Sequence, residues 1–258
     1  MEKRTVLITG ASEGIGLEIA KQFAIKKHPL ILVARNEEKL AYAYKQLSLY
    51  TKILTIPIDL TKPGASKYLY DLLCSQNKKV DILVNNAGIG LEGAFQNLSL
   101  EKQIQIIQLN INALTELTHY FARGMVERKY GRIINLSSIS GPIPTPQMAT
   151  YSGTKAFVLN FSQALYTELK RHGDIVVTAV CAGPTKTDFT ITGSMKSLGN
   201  MTDKIGVSAK SVAIAIVKCI DKKKSVIVPN TRYKILLSLV KLVPTTFMQT
   251  IMYKQMKS

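Results

Sequence analysis

The chain has 258 residues, of which 46% are hydrophobic and 20% charged, enough for a sizeable core and too apolar for a disordered chain. Lys and Arg number 34 against 17 Asp and Glu, a formal net charge of +17 that raises nucleic acid and anionic membrane as partners. The excess is uneven, +5 over residues 1–130 and +12 over residues 131–258, so an anionic partner is sought in the second half. In chain order, Val6 to Thr9 reads as a first strand, and Ile15, Ile19 and Phe23 give the following segment a helical stripe. Leu30 to Val33 is wholly apolar, as a parallel strand covered on both faces would be, and a helix is expected from Asn36 to Leu49. Further strands are expected at Ile53 to Ile58, Ile82 to Val84, Arg132 to Leu136, Val176 to Cys181 and Val226 to Val228. The intervening helices are expected at Thr61 to Gln76, Leu100 to Arg128, Tyr151 to Arg171 and Ser208 to Asp221. Gly141 to Pro146 reads as a loop, and Thr185 to Val207 has no strong period, as expected of a lid or a disordered stretch. Strands alternating with helices predict an α/β fold of stacked βαβ units.

Thr9-Gly10-Ala11-Ser12-Glu13-Gly14-Ile15-Gly16 lies where the first strand hands over to a helix. Gly10 can make the tight turn, Gly14 admits a pyrophosphate to the backbone, and Gly16 lets helix and strand pack closely; Ser12 and Ile15 belong to the same anion-facing turn. The sequence has no G-x-x-x-x-G-K-[ST] run, so a dinucleotide is expected rather than a hydrolysed triphosphate. At the end of the second strand stands Arg35, where an acid would read the ribose 2′-OH of NAD; its planar fork suits a 2′-phosphate, so NADP(H) is expected ahead of NAD(H). Glu13, Glu37 and Glu38 weaken that cationic pocket. Tyr151 and Lys155 are four residues apart on one helical face, where an ammonium would lower the phenol's ordinary value of about 10 and make it a usable acid or base.

Together these residues resemble the short-chain dehydrogenase/reductase family, classical type, and within it the 3-oxoacyl and hydroxysteroid carbonyl reductases. The resemblance rests on Thr9 to Gly16, Asn85-Asn86-Ala87-Gly88, Ser138, Tyr151 with Lys155, and Gly183-Pro184-Thr185-Lys186-Thr187, in order between about residues 5 and 230. It implies a Rossmann-like doubly wound sheet of seven parallel strands in the order 3-2-1-4-5-6-7, with helices on both faces. It implies that Tyr151 protonates the carbonyl oxygen, Ser138 hydrogen-bonds it, and Lys155 holds the nicotinamide ribose. Asn110 would support a proton-relay water, ahead of Asn112; Asp59 would contact adenine; Asn86, Gly88, Gly183 and Thr187 would line the cofactor cleft. Ala182 stands where many members carry proline, which loosens the loop over the nicotinamide.

The activity so implied is hydride transfer between NADP(H) and the carbonyl or secondary alcohol of a small apolar substrate, with Phe189, Ile191, Met195, Leu198 and Met201 as lid candidates within 188–206. Residues 1–230 form the expected catalytic domain. Residues 231–258 form a basic amphipathic extension, with Arg232, Lys234, Lys241, Lys254 and Lys257 and no acid. There Pro244 would separate two helical pieces, and Met248, Met252 and Met256 would share one face, as core, as contact in a homo-oligomer, or against an anionic membrane. A non-catalytic dinucleotide-binding regulator and a basic nucleic-acid-binding protein are the alternatives; no recognised nucleic-acid motif is present, so no nucleic acid is expected. His28, His119 and His172 have no ligand spacing, and Cys74, Cys181 and Cys219 form no C-x-x-C, so no metal site is expected. The apolar run after Met1 breaks at Gly10, too short for a signal peptide. No stretch reaches the ~18 apolar residues of a membrane span. A cytoplasmic location, at most peripheral to a membrane, is therefore expected, and the sequons at Asn97, Asn135 and Asn200 read as chance.

Overall fold

Short apolar runs with no polar face require cover on both sides, and the computed structural model places them so. It describes residues 3–189, 195–240, 249–250 and 253. The strands β1 (Val6–Thr9), β2 (Leu30–Ala34), β3 (Ile53–Pro57), β4 (Ile82–Asn85), β5 (Tyr130–Ser138) and β6 (Asp174–Ala182) lie in one sheet. Two short strands, β7 (Thr185–Lys186) and β8 (Val207–Ser208), pair with each other outside it, and β9 (Val226–Ile227) closes its far side. The sheet order is β3-β2-β1-β4-β5-β6-β9, with every neighbouring pair parallel. This is the expected doubly wound order, with β9 as its seventh strand.

Alternation along each strand feeds two cores. Val6, Ile8, Leu30 and Leu32 face α1 (Gly14–Ile25), whose Ile19 and Phe23 they bury. Leu7, Ile31 and Val33 face the other layer, with Leu69 and Leu73 of α3 (Ala65–Ser75) and Leu117 and Phe121 of α5 (Leu114–Glu127). Each such side chain withdrawn from water contributes about 1.5–3 kcal/mol. Between the first two strand units, α2 (Glu37–Leu47) is capped by Asn36, whose Oδ1 accepts from the Lys39 N–H at 2.8 Å.

The expected helix from Leu100 to Arg128 is not one α-helix. α4 (Leu100–Ile107) passes into a π-helical turn, Gln108–Ala113, before α5 begins. Buried Gln103, Ile106, Asn110, Ala113 and Leu117 still recur at helical intervals, so the sequence period hides the wider turn. Nor is Thr185 to Val207 without regular structure, since β7 and β8 bracket a helix, Lys196–Ile205. That helix has one buried residue, Thr202, too little for an apolar stripe to register. Of the C-terminal expectations, the helix Thr231–Val240 is present, while Pro244, Met248, Met252 and Met256, like Ile191 of the lid, lie outside the described residues.

Candidate functional site

Because all seven strands run the same way, their C-terminal ends share one edge of the sheet, and the turns leaving that edge enclose a cleft of about 540 Å³. At one end lies the glycine turn. Gly10 and Gly14 adopt left-handed conformations, and a Cβ on Gly16 would lie 2.1 Å from the Gly10 carbonyl oxygen. Asn86 fixes this turn, its side-chain amide donating to Thr9 O at 2.9 Å and Gly10 O at 3.0 Å. The first N–H groups of α1 open into the cleft with no side-chain cap, although Glu13 occupies the capping position. A bare helix N-terminus, glycines that admit backbone approach, and Ser12 in the lining fit a pyrophosphate.

The adenosine end adds Arg35 and Asp59. Asp59 accepts from the Thr61 N–H at 3.0 Å and its hydroxyl at 2.8 Å; against the opposing effect of burial, these bonds and the Arg35 charge hold its carboxyl below the usual range. The sequence reading missed Lys39, which also lines the cleft and pairs with Glu13. Glu13 is thus occupied by Lys39, and Arg35 enters none of the ion pairs of the described residues, so the expected weakening of the cationic pocket by Glu13 is offset. Glu37 and Glu38 instead occupy the first turn of α2, where they complement the positive end of the helix dipole.

At the other end, Ser138 terminates β5, and Tyr151 and Lys155 project from the first turns of α6 (Ala149–Leu169); all three are buried and line the cleft. Lys155 Nζ donates to Leu136 O at 2.8 Å and lies 5.7 Å from the centre of the Tyr151 ring. Ser137 donates to Lys155 O at 2.7 Å, fixing strand against helix. Asn110, in the π-helical turn, clamps the loop after β4. Its Oδ1 accepts from the Ile89 N–H at 3.0 Å, while Nδ2 donates to Ile89 O at 3.0 Å and Thr154 Oγ1 at 3.1 Å. Asn112 bonds to Gln108 on the exposed side and takes no part in the cleft. Gly88 packs beside Asn110 Oδ1 and Lys155 Nζ, Thr187 beside Gly14, and Gly183 under the Tyr233 ring.

The proton affinities correct the expectation that Lys155 lowers the tyrosine. Burial pushes Tyr151 up to about 12, against the opposing hydrogen bond with Ser138, and burial pushes Lys155 down to about 8. Desolvation disfavours both charged forms, and for the resting Tyr151 it outweighs the neighbouring ammonium, which at about 8 still carries its charge near neutral pH. Tyr151 therefore rests as a neutral phenol, the form a proton donor must have.

The wall facing Tyr151 is apolar. Met148, Tyr151 and Met195 form a buried cluster joined by Phe189 and Leu198, with the rings of Tyr151 and Phe189 6.0 Å apart. Met195 sits against Gly90, where a Cβ would meet its sulfur at 2.4 Å. Glu92, also absent from the sequence reading, caps the following helix, both carboxylate oxygens accepting from the Ser197 N–H at 3.1 and 3.0 Å. Nothing short of the fold pairs Glu92 with Ser197, so no local signal could have found it. Among the described residues, no group of three His, Cys, Asp or Glu is placed to hold a metal, and no helix is long and apolar enough to cross a membrane.

A sequence profile of the short chain dehydrogenase family matches residues 4–197. A ketoacyl reductase, HetN, of Nostoc sp. is 32% identical over 230 residues, covering 88% of this chain and 78% of that one. A very-long-chain 3-oxoacyl-CoA reductase of Laccaria bicolor is 37% identical over 169 residues, covering 64% of this chain and 50% of the relative. The chain thus spans about half the length of several curated relatives it matches. Among solved structures, a short-chain dehydrogenase from Sphingobium yanoikuyae in complex with NADPH superposes with a TM-score of 0.82 at 32% identity, covering 92% of this chain and 93% of its own.

Proposed function

The chain belongs to the short chain dehydrogenase family, and from that premise we propose that it is an NADP(H)-dependent oxidoreductase of apolar ketones, with 3-oxoacyl thioesters as the leading substrate class. One observation carries the reading: Ser138, Tyr151 and Lys155 converge in a cleft that is anion-receptive at one end and walled by Met148, Phe189, Met195 and Leu198 at the other. Bound there, the nicotinamide supplies or accepts a hydride. In reduction, Tyr151 donates its proton to the carbonyl oxygen while the Ser138 hydroxyl orients that oxygen. The Lys155 ammonium holds a ribose hydroxyl and stabilises the phenolate left behind. Gly10, Ser12, Gly14, Ile15 and Gly16 receive the pyrophosphate, Arg35 the 2′-phosphate and Asp59 the adenine. Asn86, Gly88, Gly183 and Thr187 line the path between. With its side chain committed to Ile89 and Thr154, Asn110 is assigned the relay water through its backbone and as the clamp on α6.

Residues 1–230 are proposed as the catalytic unit, 188–206 as its lid and 231–258 as an extension that joins copies of the chain or touches a membrane, in a cytoplasmic protein. Another relative, of Homo sapiens and 38% identical over 177 residues, is named an inactive hydroxysteroid dehydrogenase-like protein, which keeps a silent dinucleotide-binding reading in view. The presence of Ser138, Tyr151 and Lys155 together favours catalysis. The test is loss of NADPH absorbance with a series of 3-oxoacyl thioesters and bulky ketones, with NADH in parallel. Turnover that rises with acyl length supports the reading, and dinucleotide binding without turnover on any carbonyl refutes it.

A further inference from the structure

The opposite edge of the sheet, where the strands begin and the helices end, carries a concentration of positive charge that the cleft does not use. The turn before β2 holds exposed Lys26 and Lys27, the turn before β3 Lys52, and the turn before β4 Lys78 and Lys79. Arg128 and Lys129 precede β5, Lys170 and Arg171 precede β6, and Lys222 to Lys224 precede β9, all exposed. Lys3, ahead of β1, reaches the Lys26 carbonyl at 2.9 Å, which places the ends of the chain segments side by side. Both halves of the chain contribute to this edge, beyond the excess carried by the second half. Acids are fewer. Among the described residues, Asp81 accepts from the Thr5 N–H, Asp174 pairs with Arg132 and Lys223, and Glu127, Glu168 and Asp221 are exposed at this edge.

Helix C-termini attract cations, which accounts for part of this charge. It does not account for which residues close the turns. Lys27, Lys129 and Lys223 have φ of 60°, 54° and 46°, the left-handed region that glycine enters without strain. Lysine stands at three positions where the backbone favours glycine. A second observation concerns apolar side chains on the same edge: Ile25 is 61% exposed beside Lys26, and Leu49 and Tyr50 are 84% and 53% exposed in the turn that leads to Lys52.

We propose that this edge is a docking face for an anionic lipid bilayer, separate from the cleft, in which the lysines meet headgroups and Ile25, Leu49 and Tyr50 enter the interface. Aliphatic side chains among lysines gain by entering a bilayer and gain nothing from phosphates in water. Lysine and arginine side chains also grip nucleic-acid phosphates, but this edge lacks the backbone N–H groups and helix N-termini that position such a ligand, which here lie at the cleft, and its exposed aliphatic side chains decide for lipid. Bound this way, the protein holds its cleft away from the lipid.

The test is co-sedimentation of the full chain with vesicles of phosphatidylcholine alone and with about a third phosphatidylserine. Binding is expected with the anionic vesicles only, weakening with salt over a Debye length of about 8 Å. The variant Lys26→Glu/Lys78→Glu/Arg171→Glu is expected to lose about a hundredfold in vesicle affinity or more. It should reduce a water-soluble ketone at the wild-type rate, a readout independent of lipid. A control of equal charge change away from this edge, Lys67→Glu/Lys102→Glu/Lys210→Glu, should lose less than a third as much on a logarithmic scale. Leu49→Ser should weaken binding that survives high salt. Three results overturn the proposal: no vesicle binding by the wild type, equal losses in the two charge sets, or tighter binding to duplex DNA or RNA than to anionic vesicles at the same salt.

Discussion

The two edges of this sheet face the same problem, positive or negative backbone ends gathered by a parallel topology, and answer it with different residues. At the cleft edge the strands end, the helices begin, and Gly10, Gly14 and Gly16 clear the way for a ligand to touch main-chain N–H groups. At the opposite edge the helices end, and lysines rather than glycines occupy the left-handed turns at Lys27, Lys129 and Lys223. A site that binds through its backbone must shed side chains. A face that attracts through charge must keep them, even where the backbone would be easier without. The comparison explains why the cleft is narrow in its residue choices and why the other edge is broad in its sources along the chain.

The sharpest break in that comparison is chemical. Tyr151→Phe should lower turnover about 10²-fold or more while leaving NADPH binding within a few fold, measured by steady-state kinetics beside a binding titration. Glycine dependence comes next. Gly16→Ala drives a methyl group into the Gly10 carbonyl and should cost about 3 kcal/mol of stability and most dinucleotide affinity, read by denaturant unfolding and titration. Arg35→Ala should weaken NADPH by about 10-fold to 100-fold and leave NADH unchanged, since a lost charge-assisted bond costs about 1.5–3 kcal/mol; equal weakening of both would remove Arg35 from the 2′-phosphate.

A pH experiment follows from Lys155. Its folded value of about 8 lies below the ordinary 10.5, so between those values the unfolded chain holds a proton that the folded chain has released. Stability of the ligand-free protein relative to Lys155→Met should therefore rise with pH across that window, and melting curves taken at intervals would show the gap shifting in the wild type's favour. Tyr151 acts in the opposite sense above pH 10, where the folded chain keeps the proton. The smallest effect belongs to the other edge: Lys27→Gly should stabilise the fold by about 0.5–1 kcal/mol, where the same residue type at the cleft is indispensable.

Much of the cleft was legible because its demands are local. A strand, three glycines and a helix start lie in one stretch from Val6 to Gly16, and Tyr151 and Lys155 need only one helical turn to meet. The strands themselves followed from local signals, and their order from the resemblance alone. The remainder required distance information. Lys39 reaches Glu13 from another helix, and Glu92 reaches Ser197 across the cleft. The π-helical turn at Asn110 left the burial rhythm intact and so left no mark in the sequence. The upward push on the Tyr151 phenol leaves no mark in the sequence, because spacing shows a neighbouring charge but not the burial around it. Dividing the charge by halves of the chain likewise concealed a face that the parallel topology assembles from every connecting turn.

Gly183 and Tyr233 belong to different parts of the chain yet share one space, since a Cβ at Gly183 would fall 2.2 Å from the Tyr233 ring, and that ring's hydroxyl also donates to Ile205 O at 2.9 Å. A larger residue at either position becomes tolerable only after the other has shrunk. Drift in the helix Thr231–Val240 is therefore yoked to the loop after β6, and the two positions should covary across relatives even where neither touches the reacting atoms.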